Sequence, residues 1–137
     1  MGKLLNYQYE CMYNGAGREG VNVEAEMEQC WDALKGFVKG SNLSAADYHT
    51  IRLLVMEKRK LRTDNPSALT EEEKSLLSEM EHVRWSRYHF LNYWKKGSIR
   101  DNEKKIHPCL ARFSELSPET QKKDFNNVEI LLKLNQN

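Results

Sequence analysis

"TEEEKSLLSEMEHVRWSRYHFLNYW", residues 70–94, is the stretch on which the reading of this chain turns. Thr70 and Glu73 stand three apart ahead of an apolar-periodic run, the pattern of a capping box. Glu71, Glu72 and Glu73 put negative charge where the helix dipole favours it. Leu76, Leu77, Met80, Val83, Tyr88 and Leu91 then keep helical spacing to about residue 94. A long helix at the centre of a 137-residue chain, with no strand-like alternation of any length around it, predicts an all-α domain.

Working outward toward the N-terminus, "TDNPSA" (63–68) is a turn-rich connector and the best internal boundary. Before it, a helix over about 44–60 is expected to bury Tyr48, Ile51 and Leu54 or Val55, ending in the basic run "EKRKLR". "KGSN" (39–42) is expected to break the chain, with Ser41, Asn42 and Ser44 as N-caps for that helix. A short helix around 28–37 would place Trp31, Leu34 and Phe37 on one face, preceded by a Gly-rich loop over 14–24 and a first helix over 3–13. Toward the C-terminus, residues 95–108 are too polar and irregular for a helix. "HPCLARF" (107–113) is expected to hold a short extended piece, because the residue before Pro108 avoids the helical region. Ser117 and Pro118 fit the N-cap and first position of a short helix, and "DFNNVEILLKL" (124–134) reads as a separate last helix with Phe125, Val128 and Leu132 inward.

The bulk composition narrows the function classes. A net charge of +1 supplies no field to draw the chain onto nucleic acid or acidic membranes. No apolar run is long enough to span a bilayer, and "MGKLLNYQYECMYNG" (1–15) lacks the apolar core of a signal peptide, so a cytoplasmic setting is expected. Cys11, Cys30 and Cys109 are an odd number without Cys-x-x-Cys spacing, so no metal site is expected and the thiols read as small hydrophobes.

The two halves of the chain echo each other. "LNYQYECMYNG" (5–15) lies on "EHVRWSRYHFLN" (81–92), with Tyr9 against Trp85. "WDALKGFVKGSN" (31–42) lies on "FSELSPETQKKDFN" (113–126) with a two-residue gap, matching Trp31 to Phe113, Leu34 to Leu116 and Asn42 to Asn126. Internal similarity of this kind predicts two helical hairpins about a pseudo-two-fold axis, with a long polar loop and short extended pieces near 95–110.

With those residues in view, "EHVRW…W…G-x-x-RDNEKK-x-HPCLARFSELSPETQKKDFN" strongly resembles the ryanodine-receptor repeat, the RyR domain. The ordered set His82, Trp85, Trp94, Gly97, Arg100, Asp101, His107, Pro108, Leu116 and Asn126 carries the resemblance, which is close over 70–134. Residues 3–60 resemble the degenerate first half of bacterial members that follow TrkA-type NAD-binding domains. The chain departs from the family pattern at Tyr93, usually Gly, at Lys96, usually aromatic, and at Ser98, usually Pro. The resemblance implies one RyR-type domain over 1–137: a first half-repeat at 3–60, a connector at 61–69 and a second half-repeat at 70–134.

Catalysis finds little support. His82, His89, His107 and Cys109 are base or nucleophile types, but no Gly-x-Ser-x-Gly turn is present. Glu81 and His82 are adjacent on a helix, so they point about 100° apart and form no relay. Arg100, Asp101 and His107 are expected to structure the 95–108 loop, with Arg100 and Asp101 paired and Lys104 and Lys105 exposed.

Two aromatic faces can sandwich a purine and two amides can read its edge. A pseudo-two-fold axis would bring Tyr9 and Trp85 together; equally, Trp85 can be plain core and both Asn residues caps. The resemblance implies an adenine-nucleotide site at Trp85, Tyr9, Asn42 and Asn126, with Ser41 and Glu79 beside them. The expectation is thus a non-catalytic module without a cofactor, whose ligand is an adenine nucleotide or cyclic nucleotide. It would act as a sensor on a neighbouring domain or effector in a larger bacterial signalling, defence or ion-transport system. The rival is a protein–protein interaction module using Tyr93, Trp94 and the 95–108 loop, with no small-molecule ligand. Oligomeric state is left open.

Overall fold

A computed structural model describes residues 1–61 and 65–136, so part of the 61–69 connector lies outside the described residues. Among the described residues five α-helices run in order: α1 Gly2–Tyr13, α2 Val23–Ala33, α3 Gly36–Lys58, α4 Glu71–Leu91 and α5 Pro118–Leu134, with 3-10 turns at Pro66–Ala68 and Phe113–Glu115. The fold is all-α. Among the described residues no strand forms; the extended pieces near 95–110 reduce to two isolated bridges, Lys95 with Ile106 and Asp101 with Ile106. The expected extended piece in "HPCLARF" is absent, since residues 107–112 form turns that lead into the Phe113–Glu115 helical turn. No described helix is long and apolar enough to cross a membrane.

The chain divides into two compact units, Met1–Ala68 with Glu129–Asn137, and Leu69–Val128, so one boundary falls at the connector and the other within α5. In the first unit α1 packs on both α2 and α3. Leu5, Ala45, Ile130 and Leu131 make its apolar cluster, with Leu134 against them. The loop after α1 is clamped from α2. One Glu26 carboxylate oxygen accepts from the Tyr7 hydroxyl at 2.7 Å and from the Gly17 amide at 2.8 Å. That bond, with burial and the nearby Cys11 thiol, pushes the Tyr7 phenol well above its ordinary pKa, while the same bond and the Gly17 amide lower Glu26. Gly17 is obligatory here: its φ is +74°, and an added Cβ would come within 2.8 Å of Cys11 Sγ.

Helices α2 and α3 differ from expectation. Asn22 caps α2 by accepting from the Ala25 amide, so the helix starts five residues earlier than the Trp31 periodicity suggests. The break falls at Leu34 and Lys35, whose ψ angles of 142° and 148° are extended, and not at "KGSN". Ser41, Asn42 and Ser44 therefore sit inside α3 and cap nothing at its start, and Gly40 is carried within the helix at a cost of about 1 kcal/mol. Trp31, Leu34 and Phe37 consequently do not share one helix face.

The inward stripe of α3 is Ala45, His49, Arg52 and Met56, while Ile51 and Leu54 are exposed. Apolar residues occur all around this helix, so hydrophobic spacing does not determine its phase. Ala45 joins Leu5 in the apolar cluster, and His49 and Arg52 face inward on the same stripe.

In the second unit α4 opens on the expected capping box: Thr70 Oγ1 accepts from the Glu73 amide at 3.2 Å, and Glu73 accepts from the Thr70 amide at 2.9 Å. Its buried stripe is mostly polar, comprising Leu77, Ser78, Glu81, His82, Arg84 and His89, whereas Val83 and Leu91 face solvent. Ser117 Oγ accepts from the Thr120 amide at 3.2 Å, as expected of an N-cap, but α5 is one helix and not two. Val128 and Leu132 are fully buried on it.

Candidate functional site

The expected candidates fall in both units. In the first, Asn42 donates from Nδ2 to Asn6 Oδ1 at 3.2 Å, linking α3 to α1. Asn6 is 4% exposed, and its own Nδ2 has no partner among the described residues. A buried amide donor left open costs about 1–3 kcal/mol unless something outside the chain accepts from it. Tyr9, about one helical turn past Leu5, is half-buried and tilts against Tyr13 with ring centroids 4.5 Å apart. Ser41 is half-buried on α3. Farther along the same stripe, His49 Nδ1 lies 3.1 Å from Arg52 Nη1, and the Arg52 guanidinium sits 5.7 Å from the Tyr48 ring centroid. Burial, then the Arg52 charge, holds the His49 pKa down to about 4.

In the second unit Trp85 is the hub of a ring cluster. His89 tilts against it at 3.9 Å between centroids, His107 meets it edge-on at 4.8 Å, and His82 stacks at 5.7 Å. Trp94, buried, meets His89 edge-on at 5.1 Å. Burial keeps both outer histidines neutral: His107 is held down to about 4, with Arg100 and His89 adding to the effect, and His89 is also lowered, with the Trp85 carbonyl opposing. His107 Nδ1 accepts from the Cys109 amide at 3.1 Å, which places its proton on Nε2.

His82 is held differently. Its Nε2 lies 2.8 Å from the Ala111 carbonyl and its Nδ1 3.5 Å from Asp124 Oδ2, so both ring nitrogens face acceptors. Burial works to lower its pKa, but Asp124 and the Ala111 carbonyl outweigh that and raise it. The histidines are thus pulled in opposite directions, His82 upward by its acceptors and His49, His89 and His107 downward by burial.

The loop that follows is closed by its own backbone. Lys95 N donates to Lys105 O at 2.9 Å, His107 N to Lys95 O at 3.0 Å, and Asp101 and Ile106 exchange a pair at 3.0 and 2.8 Å. Arg100 and Asp101 do not bond each other: Arg100 Nε donates to Asn102 at 3.0 Å, and Asp101 accepts from the Lys104 amide at 3.0 Å. Each prefers a partner that closes a tight local turn, which neighbouring side chains on an extended backbone cannot do.

Helix α4 ends in a Schellman motif, with Tyr93 N donating to Phe90 O at 3.1 Å and Trp94 N to His89 O at 3.0 Å. Tyr93 occupies the left-handed position at φ +68°, where glycine is the usual residue. That conformation costs a bulky residue about 1–2 kcal/mol. Tyr93→Gly is therefore expected to raise the unfolding free energy by up to about 1 kcal/mol, the relief of strain being partly offset by the freer unfolded chain. Urea denaturation at neutral pH checks this, and a loss of stability would mean that the Tyr93 ring, which lies 5.7 Å from Lys105 Nζ, holds the corner.

Glu79 lies exposed on α4 in a shallow groove with Glu71, Glu72, Ser75 and Leu76, a lining that repels phosphate. Asn126 is half-buried in the second unit. The repeat has a local structural counterpart, because Leu34 N donates to Trp31 O at 3.2 Å and Leu116 N to Phe113 O at 3.1 Å, each just before a helix begins. Counted from those starts, however, Asn42 falls level with Asp124, and Asn126 sits two residues, about 200°, further on. Both segments are unbroken helix, so neither absorbs the two-residue gap. Asn6, His49 and the His89–Trp94–His107 rings were not singled out as a site from sequence; only the i, i+3, i+4 relation of Trp85 to His82 and His89 hinted at them.

These elements define a class: an all-α module with a polar stripe in one unit and an aromatic–histidine hub under a tight loop in the other. The RyR domain family matches residues 65–136, just over half of the chain, and the chain belongs to that family. No solved structure matches the chain.

Proposed function

We propose that the chain is a non-catalytic module that binds an adenine-containing nucleotide and passes the bound state to a neighbouring domain of a larger bacterial-type protein. The observation that carries this reading is the Asn6–Asn42 amide pair, whose buried Asn6 donor has no partner among the described residues. A purine edge offers alternating acceptors and donors that such a pair complements. Tyr9, on the same helix as Asn6, is half-buried, which leaves aromatic surface for a base to stack on; Trp85, half-buried in the other unit, offers an aromatic face of its own. Ser41 and Asn126, one in each unit, are assigned to such a ligand by the family resemblance, while the acids around Glu79 suit a ribose hydroxyl better than a phosphate. Regulation follows if the ligand favours one conformation over another by its differential affinity.

Thermal-shift titration with ATP, AMP and 3′,5′-cyclic AMP tests the reading, since a ligand selective for the folded state adds about 2.7 kcal/mol at a hundredfold excess over Kd. Tyr9→Ala and Asn42→Ala are each expected to weaken binding by about 1–3 kcal/mol with helix content unchanged by circular dichroism. Trp85→Ala is expected to weaken binding likewise; unfolding of that variant would instead make Trp85 a packing residue only. Absence of any shift with all three nucleotides sinks the proposal, and turnover in the same mixtures by chromatography would make the protein an enzyme.

A further inference from the structure

Where α4 ends, the protein exposes more bulky apolar surface than folding explains. Tyr93 is 84% exposed, Leu91 and Ile99 are each 79% exposed, and Phe90 is half exposed. Tyr93 is moreover held in a backbone conformation that glycine would adopt without strain, yet its ring is turned to solvent. A strained residue whose side chain does little for the fold is a reason to look for another use.

The surroundings say what would fit there. Residues 95–105 carry five cations, Lys95, Lys96, Arg100, Lys104 and Lys105, against two carboxylates, Asp101 and Glu103, although the whole chain carries only +1. Asp101 is already engaged with the Lys104 amide and, at 3.6 Å, the Lys104 ammonium. Lys105 arches over the Tyr93 ring and donates to the Asn92 carbonyl at 3.1 Å, which keeps a cation beside the aromatic knob. The platform is also rigid. The bridges of Ile106 to Lys95 and Asp101 close the loop, and Gly97 lies so close to Ile106 that no Cβ fits. A preordered surface loses less freedom on binding. Exposed aromatic and aliphatic anchors beside a run of cations in the chain have the composition of a protein-binding patch.

We propose that Phe90, Leu91, Tyr93 and Ile99, with the lysines of the 95–105 loop, form a docking surface for an acidic polypeptide segment carrying an apolar anchor. The apolar residues pack the anchor, and the cations set its register and speed its approach. Bulky aliphatics such as Leu91 and Ile99 contribute little to a phosphate backbone, and Glu103 within the loop opposes an anionic bilayer. The surface shares no residue with the amides proposed to hold a nucleotide, so the two readings succeed or fail separately.

Selection of a displayed twelve-residue peptide library on the full chain tests the proposal. Enriched peptides are expected to combine several Asp or Glu residues with a Trp, Phe or Leu, and to bind in isothermal titration. Tyr93→Gly, which relieves strain and preserves the fold, should weaken that binding tenfold or more, as should Ile99→Ser, while Lys104→Gln with Lys105→Gln should slow association and flatten its salt dependence. Selected peptides without acidic residues, or peptides that bind Tyr93→Gly as well as the parent chain, overturn it. So does binding of phosphatidylserine vesicles or a twenty-nucleotide oligothymidine, or reversible dimerisation by sedimentation, that is lost in Tyr93→Gly, because each assigns the surface to a different occupant.

Discussion

Replacing Glu81 by alanine is expected to lower the stability of the protein by about 3–5 kcal/mol, the largest effect of any single exposed-to-test change. Glu81 is completely buried and Arg84 nearly so, and the guanidinium meets the carboxylate through Nη2 at 2.7 Å and through Nε at 3.2 and 3.3 Å. Removing one partner leaves the other charge in a medium that solvates it poorly. The exposed pair Lys3–Glu28 is as short, at 2.6 Å, yet both side chains are over two-fifths exposed, so its loss should cost less than about 1 kcal/mol. The contrast shows that burial, and not distance, sets the cost. Replacing both partners, Glu81→Leu with Arg84→Met, should restore part of the lost stability, because the imbalance of charge between them is then removed. Urea denaturation of the two single variants and the double variant measures this. A double variant as unstable as Glu81→Ala would show that the pair acts through other bonds and not through its own charge balance.

That pair also marks how far the sequence could be read. The parts written in local chemistry were legible: the Thr70–Glu73 box, Ser117 and Pro118 at the start of α5, and Asn14 and Gly15 after α1 each act within a few residues of themselves. The RyR relationship was legible for the same reason, since its motif lies in the ordered loop and helix starts of residues 65–136. The helix faces were not. Inward positions on α3 and α4 belong to His49, Arg52, Glu81, His82 and Arg84, while Ile51, Leu54, Val83 and Leu91 face outward. A hydrophobic period locates a core only when the core is apolar, and here partners make the polar residues buriable: Arg84 for Glu81, and Asp124 with the Ala111 carbonyl for His82. Nothing in local spacing reveals a partner 29 or 42 positions away. The break between α2 and α3 was obscured in the opposite way, since Gly40, Ser41 and Asn42 have the composition of a turn but lie within a helix that already starts at Gly36, two residues past Leu34. For the candidate residues, chemical type was readable at once, whereas the Asn6 partner of Asn42 depends on how α1 meets α3.

Acidification from pH 7 to pH 4.5 is expected to destabilise both units, and the direction follows from the imidazoles. His49 and His107 are each held down to about 4, and His89 is also lowered, in every case first by burial. Their ordinary pKa is about 6.5, so above that value folded and unfolded chains are equally neutral at these sites and stability is at its full level. Below it the unfolded chain takes up protons that the folded chain refuses, so stability falls as pH drops toward 4 and levels off beyond it. His49 faces the Arg52 guanidinium at 3.1 Å and is almost wholly buried, so its share is about 3 kcal/mol. His107, near Arg100 and His89 and partly open to solvent, adds roughly 1–2 kcal/mol after allowance for screening. His82 runs the other way: its pKa is raised, so its contribution is complete below about 6.5 and fades only as pH climbs through the raised value. It therefore adds no slope to the acid limb. Asp124, raised by burial against the pull of His82, opposes the loss only as it takes up its proton. Urea midpoints at pH 7 and 4.5, compared between the parent chain and His49→Gln, isolate the largest share, and the imidazole proton resonances report each site directly. A His49 resonance that titrates near 6.5 in the folded protein would remove the basis of the expectation, because a histidine with the same pKa in both states cannot couple folding to pH.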